Sequence, residues 1–213
     1  KSCYMINILK KKIWVAGHNG MVGSAIVRKL VKEGCNVIKA SKKELNLVNQ
    51  QETNSWIKNK KPEIIILAAA KVGGIKFNML NKTDFLYENL MIQNNIIFSA
   101  SKHNVEKLVF IGSSCIYPKE SPQPIEESSL LKGPLEETNE GYALAKIAGL
   151  KLCKYINEEL KKSFISVMPS NVFGINDNFD PDNSHVLGAL LRKIYNAKVS
   201  GKKKNRNLGN RKT

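Results

Sequence analysis

Short, continuous apolar runs alternate along the chain with longer stretches in which apolar residues recur at a helical spacing. The runs are typical of strands buried on both faces, and the longer stretches are typical of amphipathic helices. The predicted strands cover residues 12–16, 35–38, 63–70, 107–110 and 164–168. Their alternation with helices predicts an α/β protein with a doubly wound parallel sheet and helices on both faces.

The predicted helices cover residues 24–33, 52–61, 84–103 and 142–160, and a further helix starts near His185. Their apolar spacing predicts that the buried stripes include Val31, Phe98, Leu144 and Tyr155. The third helix also carries three asparagines, which either pack and hold neighbouring loops or lie on the surface. The sequence leaves that alternative open for all three, Asn89, Asn94 and Asn95.

A glycine-rich turn joins the first predicted strand to the first predicted helix. It reads Gly17-His18-Asn19-Gly20-Met21-Val22-Gly23, with the spacing GxxGxxG. In a dinucleotide-binding unit the first glycine permits the tight turn, and the second lets the pyrophosphate approach the helix N-terminus. The third allows the helix to pack closely on the strand. Such turns also occur without a ligand, but the strand before and the amphipathic helix after favour a Rossmann-like nucleotide site.

The segment after the second predicted strand indicates which dinucleotide binds. A site specific for NAD needs an acid here for the ribose hydroxyls, whereas Lys39-Ala40-Ser41-Lys42-Lys43 holds none, and the next acid is Glu44. Cations and a hydroxyl suit a 2′-phosphate, so the predicted cofactor is NADP(H), with Lys42 among its contacts. A solvated lysine-rich loop is the alternative. Small residues at the end of the third strand, Ala69 among them, leave room for a ribose.

The formal net charge of +16 is concentrated at the end of the chain, where residues 192–213 hold nine lysines and arginines and no acid. Basic tails of this kind are usually solvated, so nucleic-acid binding is not the expected function. No apolar run approaches the roughly 20 residues of a membrane span, and no signal-peptide pattern opens the chain. The four cysteines lie far apart without a CxxC pair, which favours reduced thiols in a cytoplasmic protein over disulfides or a metal site.

Two hydroxyls and a thiol leave the fourth predicted strand together, as Ser113, Ser114 and Cys115. Ligands collect at the carboxyl ends of parallel strands, although a serine pair can also simply cap a turn. The following helix begins with Tyr142 and Lys146, whose spacing places both on one face; a surface pair is the alternative. A neighbouring ammonium is expected to lower the pKa of Tyr142, so that the phenol exchanges a proton with a substrate oxygen that Ser113 polarises.

These motifs resemble the extended short-chain dehydrogenase/reductases that act on nucleotide sugars, as does the turn Pro169-Ser170-Asn171-Val172-Phe173-Gly174. Four blocks, residues 17–23, 68–74, 112–118 and 183–186, more narrowly resemble the GDP-L-fucose synthase branch of that family. The resemblance runs from about residue 12 to about residue 195. It implies a two-stage enzyme that epimerises C3 and C5 of GDP-4-dehydro-6-deoxy-D-mannose and then reduces the C4 ketone with NADPH, giving GDP-L-fucose.

The resemblance also implies roles for individual residues. Cys115 and His185 match the base and the acid of the epimerisation, and Ser113, Tyr142 and Lys146 match the groups of the hydride step. An inert buried thiol and an ordinary helix cap are the alternatives for the first pair. Lys193 matches a basic residue that contacts substrate, and Asn19 replaces an arginine of some relatives. The implied cofactor contacts are Gly17, His18, Asn19, Gly20, Met21, Val22, Gly23, Lys42, Ala69, Ile111, Gly112, Ser113, Ser114, Lys146, Pro169, Ser170, Asn171, Val172 and His185.

The expected organisation is a lead-in, an NADP-binding Rossmann domain, the start of a substrate-binding region and a basic tail, at residues 1–11, 12–174, 175–197 and 198–213. The abrupt change to Lys, Arg and Asn indicates a truncated or misread reading frame, so the substrate domain is expected to be incomplete. A GDP-sugar substrate and a homodimer are expected. The alternatives are another nucleotide-sugar epimerase or dehydratase, and a catalytically inactive NADP-binding fragment.

Overall fold

The computed structural model describes residues 7–180, 184 and 186–201, and a five-stranded sheet forms its centre. The strands are β1 (Lys12–Ala16), β2 (Asn36–Ile38), β3 (Ile64–Leu67), β4 (Lys107–Ile111) and β5 (Ser163–Val167). Their order across the sheet is β2-β1-β3-β4-β5, and every neighbouring pair is parallel. The predicted α/β architecture is therefore confirmed.

The α-helices of the described residues are α1 (Met21–Lys32), α2 (Gln50–Lys60), α3 (Ile75–Leu80), α4 (Lys82–Lys102), α5 (Glu140–Leu160) and α6 (Val186–Val199). The side chain of Asn49 accepts from two N–H groups in the first turn of α2 and so fixes where that helix begins. No helix was predicted at the position of α3. This helix has only six residues, too few to present an amphipathic stripe.

Two apolar cores lie on opposite faces of the sheet, because successive strand residues point to opposite faces. The larger core joins β1, β3, β4 and β5 to α2, α4 and α5 and includes Trp14, Ile57, Ile65, Ile97, Leu108, Phe110, Cys153 and Phe164. The smaller core packs α1 through Leu30 on Ile13, Val15 and Ile64. Helices therefore cover both faces, although Ile165 and Val167 on the second face of β5 are 44% and 39% exposed.

Four apolar residues predicted to lie in buried stripes are exposed instead, so that part of the prediction is wrong. Val31, Phe98, Leu144 and Tyr155 are 59%, 48%, 43% and 50% exposed. Small residues are buried on both helices, among them Ser99 and Ala100 on α4 and Ala143, Ala145 and Gly149 on α5, and Gly149 lies against Gln93 of α4. Close approach of two helices needs small side chains, so the size of an apolar residue does not mark the buried face here.

Two buried asparagines of α4 hold loops that follow neighbouring strands. Asn89 accepts from the main-chain N–H of Lys71 at 2.8 Å and donates to its carbonyl at 3.0 Å. Asn95 donates to the carbonyls of Leu47 and Val48 at 2.9 and 3.0 Å. The alternative that the sequence left open is thereby resolved for these two residues, since both pack and hold loops. Asn94 between them is half-buried.

The last described helix differs from the others because much of its apolar surface is exposed. Leu187, Leu191, Ile194 and Tyr195 are between 43% and 60% exposed, while Gly188 is buried against the carbonyl of Asn178. α6 ends at Val199, so the first two residues of the predicted basic tail are helical. Within the described ranges, no helix is long and apolar enough to cross a lipid bilayer.

Adjacent positions on α1 test how its buried face is assigned. Leu30 is 8% exposed and packs in the smaller core, whereas Val31 is 59% exposed. We expect Leu30→Ala to lower the free energy of unfolding by about 2–3 kcal/mol, because it leaves a cavity. Val31→Ala is expected to change it by less than about 0.5 kcal/mol, because the side chain is solvated. Urea denaturation measures both, and equal losses would contradict this assignment of the helix face.

Candidate active site

The carboxyl edge of the sheet brings the glycine turn after β1 against the segment after β3. Gly17 has a φ of +87°, and a Cβ there would lie 2.5 Å from the main-chain nitrogen of Ala69. A Cβ at Gly23 would lie 2.1 Å from the carbonyl oxygen of Gly17. Backbone contacts thus require both glycines. Gly17 lies against the segment after β3, and Gly23 lets α1 pack against the turn.

The N-terminus of α1 opens at this turn without a side-chain cap. Its N-cap is Gly20, which makes no capping hydrogen bond, so the first N–H groups of the helix have no side-chain oxygen to accept from them. A phosphate oxygen can accept such N–H groups, and the helix dipole favours its negative charge. A Cβ at Gly20 would meet only the carbonyl oxygen of Gly17, at 3.5 Å, so space remains beside the turn.

The segment after β2 contains exposed lysines and an acid that is already bonded. The carboxylate of Glu44 accepts from the main-chain N–H of Ser41 at 2.7 Å, and this bond lowers the pKa of Glu44. Lys42 is exposed. Burial lowers the pKa of His18, and the charge of Lys39 lowers it further, which places the glycine turn beside this segment. The nearest acid, Glu44, is therefore already hydrogen-bonded within its own loop. Lysines are exposed where the adenosine end of a dinucleotide would lie.

A polar clamp on α4 holds the loop after β3. Besides the two bonds of Asn89 to its main chain, Lys71 forms salt bridges with Glu88 at 2.6 Å and Asp84 at 3.2 Å. Asn89 is 2% exposed and also donates to the carbonyl of Phe85. This loop carries Ala69, so α4 fixes the position of the segment that contacts Gly17.

The turns after β4 and β5 run side by side. The N–H of Gly112 donates to the carbonyl of Val167 at 2.8 Å, and the N–H of Ser114 donates to the carbonyl of Pro169 at 3.4 Å. The hydroxyl of Ser113 accepts from the N–H of Cys115 at 3.4 Å. Two segments predicted to contact the cofactor, 111–114 and 169–172, are therefore joined by the hydrogen bond between Ser114 and Pro169.

Lys146 lies beneath this turn and is almost completely buried. It is 3% exposed, and its ammonium donates to the carbonyl of Ile111, the last residue of β4, at 2.7 Å. Its Nζ lies 4.7 Å from the centre of the Phe110 ring and 5.5 Å from that of Tyr142. Burial lowers the pKa of Lys146 to about 8, and the nearby thiol of Cys115 acts in the opposite direction.

Tyr142 and Cys115 are electrostatically coupled to one another beside this lysine. Burial raises the pKa of Tyr142, and the charge of Cys115 raises it further. This direction is the opposite of the predicted one, because burial and the charge of Cys115 both disfavour the charged phenolate. Burial also raises the pKa of the Cys115 thiol, while the hydroxyl of Ser113 and the charge of Lys146 lower it. The four residues form one cluster of interacting polar groups.

The predicted site residues therefore fall into three sets. Ser113, Cys115, Tyr142 and Lys146 form the polar cluster, with Ile111, Gly112, Ser114 and Pro169 in the adjoining turns. The glycine turn, residues 17–23, lies at the same edge of the sheet beside Ala69. Ser170, Asn171 and Val172 continue outward and are exposed, and Lys193 lies on α6. His185 lies outside the described residues.

Two asparagines shape this edge without having been assigned to the site. Asn89 holds the loop after β3 through two hydrogen bonds. The one feature of the sequence that could have indicated this role is an amide on a helix among apolar neighbours. Asn176 donates to the hydroxyl of Ser24 on α1 at 3.0 Å. That bond connects the segment after β5 to α1, the helix that begins at the glycine turn. No sequence pattern predicted this bond.

Comparison with known proteins agrees with this geometry. The sequence profile of the NAD dependent epimerase/dehydratase family matches residues 13–211. A GDP-L-fucose synthase from Sinorhizobium fredii is 52% identical over 189 residues, which are 89% of this chain and 60% of that protein. A GDP-L-fucose synthetase from Naegleria fowleri bound to NADP has a TM-score of 0.82 at 32% identity, covering 90% of this chain and 59% of that one.

A second solved structure is similar at higher identity. It is a GDP-D-glycero-L-gluco-heptose synthase from Campylobacter jejuni in the presence of NADPH, with a TM-score of 0.86 at 42% identity. The match covers 90% of this chain and 56% of that one. The chain thus spans about 60% of the length of the curated relatives that it matches.

The buried lysine makes stability depend on pH in a defined direction. Because burial lowers the pKa of Lys146 from 10.5 to about 8, the unfolded chain binds more protons at this position between those pH values. We expect the stability of the wild type relative to Lys146→Met to rise by about 3 kcal/mol from pH 8 to pH 10.5. Urea denaturation across this range measures the difference, and a difference that stays constant or falls would contradict the burial of the amine.

Two glycines of the turn give a matched pair of variants. Gly23→Ala places a methyl group 2.1 Å from the carbonyl oxygen of Gly17, so we expect a loss of about 2 kcal/mol or more in stability. Gly20→Ala meets that oxygen at 3.5 Å, an ordinary contact, and is expected to cost only about 1 kcal/mol or less, because alanine is a poorer N-cap than glycine. Thermal and urea denaturation measure both. Equal effects would show that the turn does not depend on the contact between α1 and Gly17.

Proposed function

The chain belongs to the NAD dependent epimerase/dehydratase family, and on that premise we propose that it is an NADPH-dependent 3,5-epimerase and 4-reductase. Its proposed substrate is GDP-4-dehydro-6-deoxy-D-mannose, and its proposed product is GDP-L-fucose. The observation that carries the proposal is the cluster of Ser113, Cys115, Tyr142 and Lys146. A thiol beside a tyrosine–lysine pair supplies a base that simple ketone reduction does not need.

The proposed cofactor is NADP(H), and the residues at the carboxyl edge fit it. The uncapped N-terminus of α1 offers N–H donors to a pyrophosphate, and the Gly17–Gly23 contact leaves a cradle without side chains. Glu44 is bonded to Ser41, and Lys42 is exposed, which suits a 2′-phosphate better than a ribose hydroxyl. When bound, the nicotinamide supplies the hydride that reduces the ketone. The two solved relatives that contain NADP or NADPH support this choice.

In the proposed reduction, Tyr142 donates a proton to the C4 oxygen of the sugar. Burial raises the pKa of its phenol, so the protonated, donating form is the one present at neutral pH. The hydroxyl of Ser113 donates a hydrogen bond to the same oxygen and stabilises its developing negative charge. Lys146 lies against the Tyr142 ring, and its positive charge stabilises the phenolate that remains after the transfer.

In the proposed epimerisation, the thiolate of Cys115 removes a proton from the carbon beside the ketone. The C4 ketone acidifies the C–H bonds at both C3 and C5, so one base can serve both positions. Lys146 and Ser113 lower the pKa of the thiol, although burial opposes them. His185 is the proposed acid that returns a proton on the opposite face, and Lys193 is the proposed substrate contact.

The remaining parts of the proposal concern the setting of the enzyme. We propose a GDP-sugar as its partner, a homodimer as its assembly and the cytoplasm as its location. Exposed apolar residues on α4 and α5, Tyr87, Phe98, Leu144 and Tyr155, support an assembly through these helices. The thiols of Cys35, Cys115 and Cys153 are free, which suits a reducing compartment. The proposed division of the chain is unchanged: cofactor binding at 12–174 and substrate binding from 175.

A second candidate is a chain that binds NADPH without turnover. The apolar side chains of α6 favour this candidate, because no described residue covers them. They are Leu187, Leu191, Ile194 and Tyr195. A third candidate is reduction of a different GDP-sugar, since the similar Campylobacter jejuni structure is a heptose synthase. Measurements of NADPH oxidation and deuterium uptake separate these three candidate functions.

Two substitutions separate the two chemical stages. With the 4-keto sugar nucleotide and NADPH, we expect Tyr142→Phe to slow NADPH oxidation at least about a hundredfold, because the proton donor is lost. We expect Cys115→Ser to abolish deuterium uptake from solvent at C3 and C5, because the base is lost. Absorbance of NADPH measures the first effect, and mass spectrometry of the sugar measures the second.

The matched control for the thiol is Cys35→Ser, since Cys35 is a free thiol packed near α1, away from the cluster. It is expected to retain both activities. NADPH binding without turnover in the wild type would favour the second candidate. Turnover with deuterium uptake that survives Cys115→Ser would sink the proposed role of the thiol, and turnover only with other GDP-sugars would favour the third candidate.

A further inference from the structure

Gln93 is a buried amide of α4 that contacts the helix carrying Tyr142 and Lys146. It is 2% exposed, and its Nε2 donates to the main-chain carbonyl of Ala145 on α5. Its Oε1 has no hydrogen-bond partner among the described residues. A buried amide that satisfies only one end costs free energy, so apolar packing alone does not explain a glutamine here.

The contact lies beside a glycine of α5 that also faces β4. Gly149 lies one turn along α5 from Ala145, and a Cβ there would lie 2.9 Å from Cδ of Gln93 and 2.7 Å from Cζ of Phe110. The missing side chain at Gly149 therefore lets α5 lie directly on the amide and on the β4 ring. The bond from the amide to Ala145 fixes how closely α5 approaches α4, and at Gly149 the same helix also lies against Phe110 of β4.

The position of α5 determines where the Nζ atom of Lys146 lies. Lys146 directly follows Ala145, and its Nζ lies over the ring of Phe110 at 4.7 Å while donating to the carbonyl of Ile111 at 2.7 Å. Both contacts join α5 to β4, so they need α5 at this height above the sheet. The titratable groups that interact with the lysine are Cys115, on the turn after β4, and Tyr142, on α5.

We propose that Gln93 is a positioning residue for proton transfer: its amide holds α5 at the height at which Lys146 reaches the Ile111 carbonyl beneath the catalytic turn. The role rests on the proposed function of Lys146 beside Tyr142 and Cys115. Gln93 touches neither substrate nor cofactor in this role and acts through the helix alone.

The test follows the titration of Lys146 in the full chain by ¹⁵N NMR of lysine amines, with the signal assigned through Lys146→Met. Gln93→Met keeps the length of the side chain and removes the donor. We expect it to raise the pKa of Lys146 by about 1, towards the ordinary value, because α5 recedes and the amine becomes better solvated. The matched control is Asn95→Leu, which removes another buried amide of α4 that holds the loop after β2 rather than α5. It is expected to leave that pKa within about 0.2 of the wild type.

A Gln93→Met variant that loses stability yet titrates like the wild type would overturn the proposal, because the amide would then be merely structural. If this variant does not fold, Gly149→Ala tests the same contact from α5, since its methyl group displaces the helix from Gln93 and Phe110. An unchanged titration in folded Gly149→Ala would also overturn it. The measurement needs no substrate, so a chain without turnover whose Lys146 responds to Gln93→Met would refute the proposed function and keep the positioning role.

Discussion

The hydrogen bond from the Lys146 ammonium to the Ile111 carbonyl is the constraint around which the site is built. A lysine that is 3% exposed loses nearly all its hydration, and the Ile111 carbonyl accepts a hydrogen bond from its ammonium at 2.7 Å. Desolvating a cation is costly, so the bond can persist only where α5 and β4 are held firmly together. Aromatic faces at Phe110 and Tyr142 offset part of that cost. The turn that carries Ser113 and Cys115 begins directly after the carbonyl that the lysine holds.

The sheet topology explains why the remaining site segments lie near this bond. In the order β2-β1-β3-β4-β5 every strand is parallel, so the carboxyl ends of all five strands lie on one edge. The order in which the strands are added reverses between β1 and β3, which opens a crevice there. The long helix α4 then organises the exits through amides: Asn89 holds the loop after β3, Gln93 holds α5 and Asn95 holds the loop after β2. Hydrogen bonds with fixed partners specify loop positions more sharply than apolar packing does.

The parts of this arrangement that could be predicted from the sequence are those with a local cause. Continuous apolar runs marked all the strands, and Gly17 and Gly23 marked the turn because backbone contact forbids any side chain there. The buried faces of α4 and α5 were predicted correctly only in part: Phe98, Leu144 and Tyr155 are exposed, and the contact between the helices includes small residues such as Gly149. The direction of the Tyr142 pKa was also wrong, because burial is a property of the assembled fold. Spacing along a helix shows only that a lysine lies nearby.

The raised pKa of Tyr142 indicates that Lys146 also acts on Cys115 in the proposed reaction. Burial and the charge of Cys115 both disfavour the phenolate of Tyr142, whereas Lys146 and Ser113 both favour the thiolate of Cys115. A protonated phenol beside a thiolate is therefore the charge arrangement that the cluster favours among its ionised states. It is also the arrangement that both stages need, since epimerisation begins with a base at Cys115 and reduction ends with a proton from Tyr142. Each stage changes one of these groups: epimerisation leaves on Cys115 the proton that it removes, and reduction leaves Tyr142 as a phenolate, so both groups must exchange a proton before the next turnover.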